Sequence, residues 1–459
     1  METARHAFRR DRNQCGAQDN RCTVDKTFCG YCLEVELTIT FITNACYRIL
    51  PAVSTSHAMK LPSIPLTPGA TQEAPSARGL PLLRLGFRPF YLGAALVATL
   101  AIPLWVAVFL GYVTFKPSAP VMLWHAHEML FGFAATVIVG FLLTAVKAWT
   151  GLDTPRGPVL GALALLWLAA RITAITGPYP VYAVLDVALL PLVAIVLIDV
   201  LIRAHNRRNL PLAAILILMA LANLAFHLSV MGIVDIPAVQ PMYACLALIV
   251  MVECTITGRV IPAFMNNATP GLKLVIQRRF ELVTLAVTAL GLALWVCAPA
   301  GWIAFTVLLV AAGLHVLRQL HWRPRTAGNR PILWILHTAY AWIPLGLALL
   351  ALAEVGMVPV SAGVHALAVG ATGGLIIGMI TRTARGHTAR PLKASKTEVV
   401  AYALVMIAAA FRVLLPLVSA HLLAVSLVGA ALAWTIAFGI YLWIYTPWLV
   451  RGRLDGKDG

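Results

Sequence analysis

From residue 90 onward the chain alternates long apolar runs with short polar breaks, and no other feature so narrows what it can fold into. A helix crossing a bilayer needs about 20 apolar residues in succession. Inside lipid its backbone N–H and C=O groups have to be satisfied within the segment. Twelve runs meet that length: 90–114, 120–146, 157–176, 180–203, 210–232, 236–265, 280–299, 301–320, 331–354, 359–384, 397–418 and 421–448. Pro120, Pro237, Pro331 and Pro359 mark boundaries between them. The weakest break is Ala298-Pro299-Ala300-Gly301. A single helix across it would be about 60 Å long at 1.5 Å per residue, too long for one bilayer. The reading is an all-α membrane protein, one bundle of twelve transmembrane helices over 81–459. Composition agrees, since 60% of the 459 residues are hydrophobic and 12% charged, against roughly a quarter charged in a soluble domain.

The net charge of +17 would point to nucleic acid in a soluble protein. Here the Lys and Arg residues lie between the apolar runs, so the partner they imply is anionic lipid and nucleic acid is excluded. Basic residues gather before run 1 (Arg78, Arg84, Arg88) and in every second loop: Lys147 and Arg156; Arg203, Arg207 and Arg208; Lys273, Arg278 and Arg279; Arg318, Arg323, Arg325 and Arg330; Arg382, Arg385, Arg390, Lys393 and Lys396. The tail adds Arg451, Arg453 and Lys457, while the other loops hold only Lys116. Positive charge thus alternates with each span, which supports the count of twelve and places both termini on the cytoplasmic side.

Residues 1–80 read as a poorly ordered leader. They carry Cys15, Cys22, Cys29, Cys32 and Cys46, with Cys29 and Cys32 forming a CxxC that has no second pair at zinc spacing. Residues 1–58 show no sustained period, and Met59 is a plausible alternative start, so an overextended gene start is the expectation. No signal-peptide pattern is present. Cys245, Cys254 and Cys297 lie in apolar runs and read as small core residues.

Ionisable residues inside a span are expensive to bury and mark function. Run 2 carries Trp124-His125-Ala126-His127-Glu128-Met129. With the orientation above, His125 and His127 lie about 8–10 Å below the outer end of their helix. His365 lies at nearly the same depth in run 10, and His227 in run 5 is about 8 Å below its outer end. His421 opens run 12 at the interface. A lone histidine on an apolar helix is more often a hydrogen-bonded core residue than a ligand. Four in one layer, on three helices, point to metal ligands. His125 and His127 are separated by about 200° of rotation and so face different directions. His127 and His365 are the first choice for an axial pair on haem iron, and His125 and His227 the candidates for copper. Glu128, Asp186 and Arg412 fall in the same outer half and are candidates to orient a ligand imidazole.

A second polar group lies in the inner half: Glu253, Thr255, Thr257 and Arg259 in run 6, His337, Tyr340 and Trp342 in run 9, and Thr381-Arg382-Thr383-Ala384-Arg385-Gly386-His387 closing run 10. Arg259 and Arg382 read either as snorkelling to headgroups or as pairing with acidic groups. Gly370, Gly373, Gly374 and Gly378 form a small-residue stripe that reads as close helix packing.

Four motifs carry a family resemblance. Leu85-Gly86-Phe87-Arg88-Pro89-Phe90-Tyr91, Trp124-His125-Ala126-His127-Glu128-Met129-Leu130-Phe131-Gly132-Phe133, Gly258-Arg259-Val260-Ile261-Pro262-Ala263-Phe264, and Met379-Ile380-Thr381-Arg382 with Gly386-His387-Thr388 resemble the NnrS family of bacterial membrane proteins. The likeness runs from about residue 80 to the C-terminus. It implies a polytopic inner-membrane protein containing haem and copper, linked to nitric oxide metabolism and protection from nitrosative stress. A more distant similarity is to the catalytic subunit of haem-copper oxidases and nitric oxide reductases, in which helices 2 and 10 supply imidazoles to a low-spin haem. His127 or His125, with His365, would fit that role. The chain departs from that pattern where run 6 has Glu253 and Cys254, run 7 has no histidine, and run 10 has only one near its outer end. A second haem facing copper is therefore not implied.

The expected function is haem binding between helices 2 and 10, in the chemistry of nitric oxide or a related small gas. Turnover would need an external electron donor, because the chain shows no nucleotide site and no CxxCH. The alternatives are a secondary transporter for a metal or haem-related compound using buried Glu and His, and a metal-dependent sensor or assembly factor.

Overall fold

The structure, a computed structural model, describes residues 79–298 and 300–457. Residues 1–58, with their expected overextended start and CxxC, lie outside the described residues. Among the described residues, twelve helices are long and apolar enough to cross a membrane: α1 (Phe87–Phe109), α2 (Val121–Thr150), α3 (Pro158–Thr176), α4 (Tyr179–Arg203), α5 (Arg207–Val230), α6 (Val239–Ala268), α7 (Arg278–Cys297), α8 (Trp302–His321), α9 (Pro331–Glu354), α10 (Val360–His387), α11 (Lys396–Val418) and α12 (Ala420–Leu449). No strand occurs among the described residues. The spans match the apolar runs to within a few residues at most ends. The largest difference is at run 1, where helix stops at Phe109 although residues up to 114 are mostly apolar. Gly111 ends it by adopting φ +81°, a left-handed conformation that glycine reaches without a Cβ penalty.

Burial separates an inner group from a ring. In α2, α10, α9 and α6, 83, 72, 67 and 61% of the most apolar window is buried inside the protein, against 28–44% in the other eight. The former are central helices, and the latter turn much of their surface to the surroundings, as lipid-facing helices do. Consecutive helices pack together along the chain except that α2 packs on α4 rather than α3, and α12 returns to α1. Arg88 of α1 helps to fix that closure. Its buried guanidinium donates to the carbonyls of Leu449, at 2.7 Å, and Arg451, at 2.8 Å. These carbonyls at the end of α12 have no partner within the helix, and a cation there also opposes the helix dipole.

Two central helices are locally unwound in the same manner. In α2 the stretch Glu128–Ala135 is π-helical, and in α10 the stretch Ala366–Gly373 is π-helical. Each begins on the residue after a histidine, His127 and His365 respectively. Such bulges recur at functional sites, because they swing side chains out of ordinary α-helical register. Thr136 Oγ1 donates to the Phe131 carbonyl at 2.9 Å, within the bulged stretch of α2. The glycines of α10 serve close packing, as expected. A Cβ on Gly370 would collide with Trp342, one on Gly373 with Trp434, and one on Gly374 with Ala339 and Met406.

Two sequence readings need correction. Arg88, Arg318 and Arg385, counted among the charges outside the spans, lie buried within α1, α8 and α10, Arg318 at 1% exposure paired with Glu281 and Arg385 paired with Glu398. The alternation of basic loops survives on Arg323, Arg325 and Arg330. Cys297 is exposed rather than in the core, because it ends α7, where the helix surface opens outward.

Candidate metal centres on either side of α2

The sequence places two imidazoles on α2 about 200° apart, and the fold gives each its own set of partners. His127 is fully buried and turns toward α3, α4 and α5. Its Nδ1 lies 2.9 Å from the Tyr182 hydroxyl, and its Nε2 lies 2.9 Å from Asn223 Oδ1 and 3.1 Å from Asp186 Oδ2. His227 of α5, also fully buried, has Nδ1 2.9 Å from the Tyr179 hydroxyl and Nε2 3.2 Å from the same Asp186 oxygen. The two rings are edge to face, with centroids 5.4 Å apart. One ligand atom from each of His127, Asp186 and His227 lies within 4.8 Å of the others.

Arg171 of α3 balances much of the charge. It donates to Glu128 Oε1 at 2.7 Å and pairs with Asp186 Oδ1. Asn223 Nδ2 donates to Asp186 Oδ2 at 2.6 Å. Two buried carboxylates and one guanidinium leave one negative charge in excess. Such a charge is stable in a low-dielectric interior only with a counter-cation, which here is either a proton on an imidazole or a metal ion. The donor set suits the ion: two imidazole nitrogens and a carboxylate oxygen, each held from behind by a hydrogen bond or ion pair.

His125 faces the other way. Its ring stacks on Trp105 of α1 at a centroid distance of 4.1 Å, and its Nδ1 is buried without a hydrogen-bond partner. His365 of α10 has Nδ1 2.7 Å from the Ser361 carbonyl. That nitrogen therefore carries the proton, and Nε2 keeps its lone pair. His125 and Arg412 of α11 both lie near enough to His365 to act on it electrostatically, and Arg412 also acts on His125. Arg412 has no carboxylate partner among the described residues. An orphaned imidazole nitrogen, an imidazole with a free lone pair and an unbalanced cation thus gather between α2, α10 and α11.

The expected pairs, His127 with His365 and His125 with His227, are therefore not the pairs the fold makes. His127 goes with His227, and His125 goes with His365. Spacing along α2 fixes the divergence of its two histidines, but the partners depend on which helices flank each face. Asp186 and Glu128 belong to the His127 set and Arg412 to the His125 set. Sequence reading missed Arg171, Asn223, Tyr179 and Tyr182. An arginine within Leu163-Ala164-Leu165-Leu166-Trp167-Leu168-Ala169-Ala170-Arg171 was the available signal, since a charge so placed needs a partner.

A third polar network lies nearer the basic ends of α6–α9. His315 Nδ1 is 2.6 Å from the Tyr340 hydroxyl, and its Nε2 is 2.9 Å from Thr288 Oγ1 and 3.7 Å from Cys254 Sγ. Arg318 donates to Tyr340 and to the Cys254 carbonyl and pairs with Glu281. Tyr340 was singled out from the sequence; His315, Glu281 and Thr288 were not. Arg259 donates to Asn209 Oδ1 at 2.7 Å, and Arg382 lies over the Phe264 ring at 3.6 Å. Neither is paired with a carboxylate among the described residues. Arg385 is, with Glu398 at 2.5 Å.

The family model described as NnrS protein matches residues 81–453, so the chain belongs to the NnrS family. No curated protein matches it.

Proposed function

We propose that this NnrS-family chain is a haem- and metal-binding protein of the bacterial inner membrane, with cytoplasmic termini, acting in nitric oxide metabolism or protection from nitrosative stress. The observation that carries the reading is the division of buried imidazoles into two sets on opposite sides of α2. The His125 set fits haem. His365 offers a free Nε2, His125 an unpartnered nitrogen, and Arg412 a cation suited to a propionate carboxylate. This keeps the macrocycle between α2 and α10, as expected from the sequence, with His125 in place of His127. The His127 set fits a compact ion instead, because Asp186, Asn223 and Arg171 crowd the space a macrocycle would need. Bound haem supplies an iron that holds a small gas or passes an electron. The protein's share is to orient the imidazoles, exclude water and balance charge. Electrons for any turnover come from an external donor, and nitric oxide, being small and apolar, reaches the site through lipid.

The test is the absorption spectrum of the purified full chain. A Soret band that shifts on adding nitric oxide supports the reading, and colourless protein with full stress protection overturns it. The second reading is proton-coupled transport of a metal or haem-related compound. It is favoured by Glu253, a buried carboxyl within α6 whose Oε2 has no hydrogen-bond partner. Colourless protein that moves such a cargo in vesicles would select it.

A further inference from the structure

The two imidazoles of the His127 set share one orientation. Nδ1 of each meets a tyrosine hydroxyl at 2.9 Å, Tyr182 for His127 and Tyr179 for His227. Nε2 of each points at a single atom, Asp186 Oδ2, from 3.1 and 3.2 Å. A phenol oxygen can accept the Nδ1 proton, and a neutral imidazole held in that way presents its Nε2 lone pair forward. Asp186 presents one oxygen only, because Oδ1 is taken by Arg171. Without a cation the three forward atoms repel one another, so protons and the Asn223 amide hold them together. Asn223 Nδ2 donates to Oδ2 at 2.6 Å, and its Oδ1 lies 2.9 Å from His127 Nε2. A divalent ion at the point of convergence replaces those protons.

We infer that Asp186 is itself a metal ligand, and that His127, His227 and Asp186 form one face of a mononuclear non-haem iron(II) site whose open positions take a diatomic gas. This rests on the reading of the cluster as a metal centre. The donor set chooses the ion. Two imidazoles and one carboxylate with open positions suit ferrous iron; copper(I) favours thiolate or thioether, and zinc, which the same ligand types hold in catalytic sites, is a d10 ion that does not bind a gas such as nitric oxide. The surroundings choose the ligand. Beside Asp186 and Asn223 lies a gap lined by Phe131, Ala135, Trp167 and Leu189, with room for about one water-sized molecule. A small apolar gas fits such a space; an organic substrate does not. Binding is coordination alone, with no bond broken and no electron supplied from outside.

The experiment is metal analysis of anaerobically purified full-length protein, followed by electron paramagnetic resonance after adding nitric oxide. One non-haem iron per chain and the half-integer high-spin signal of an iron–nitrosyl are expected. Asp186→Asn removes that signal. Tyr182→Phe, which spares all three ligands, weakens iron binding roughly 10–100-fold and leaves the haem spectrum unchanged. Stoichiometric copper or zinc in place of iron overturns the inference, as does an iron–nitrosyl signal that persists in Asp186→Asn. The wider reading fails separately. Haem-free protein that still gives the signal removes the haem proposal and leaves this site standing, whereas copper beside a gas-sensitive haem does the reverse.

Discussion

Arg171 holds two carboxylates at once, and its removal tests whether the cluster beside α2 is charge-balanced as described. The guanidinium donates to Glu128 Oε1 at 2.7 Å and pairs with Asp186, with side-chain exposures of 8, 5 and 4% for the three residues. Exposed ion pairs contribute about 0–1 kcal/mol. Removing one side of a buried pair costs about 3–5 kcal/mol, because the remaining charge is stranded away from water. Arg171→Met strands two. The expected loss is therefore at least about 3–5 kcal/mol, which lowers the folded-to-unfolded ratio by a hundredfold to several thousandfold. The assay is denaturant unfolding of detergent-solubilised protein after chelation, so that bound metal does not add to the stability. A triple variant, Arg171→Met with Glu128→Gln and Asp186→Asn, keeps the shapes while removing all three charges, and it should recover most of the loss. A single variant within about 0.5 kcal/mol of the parent, the scale of an ordinary surface change, would show that Arg171 does not balance the two carboxylates.

Three further outcomes are expected. His365→Ala should abolish or change the haem absorption; an unaltered low-spin spectrum would show that His365 is not a ligand. Gly258→Ala places a Cβ on the Arg318 guanidinium and 2.7 Å from Glu281 Oε2. It should destabilise by about 1–3 kcal/mol as the pair is forced aside, read in the same unfolding assay, and an unchanged midpoint would contradict that. Deleting residues 2–58 should leave membrane insertion and stress protection intact; loss of either would assign the leader a role.

The twelve spans were legible because lipid leaves the chain so few options. Length and apolarity decide a crossing helix, and Gly or Pro marks its ends. Lys147, Arg207 and Arg323 show the basic alternation directly, whereas Arg88, Arg318 and Arg385 misled, because a basic residue near a helix end looks the same in sequence whether it reaches headgroups or a partner inside the protein, as Arg318 reaches Glu281 of the adjacent α7. The site was half legible. The 3.6-residue period alone shows that His125 and His127 diverge. It does not show that α4 and α5 flank one face and α10 and α11 the other, since helix neighbours are set by tertiary packing. Asp186 was visible as an unusual charge in its span, but its role as the shared partner of two imidazoles depends on Tyr182 and Asn223, which look like ordinary helix residues. The π-helical turns after His127 and His365 have no local sequence mark. Glycine lies within both, at Gly132 and at Gly370 and Gly373, yet glycines of close packing look the same.

The most direct test of two separate centres on one helix is to count haem and non-haem metal in two variants of the purified protein. His125→Ala should lose haem and keep the metal ion, while His127→Ala should lose the ion and keep haem. Loss of both groups from either variant, or the opposite assignment, would contradict that division of sites.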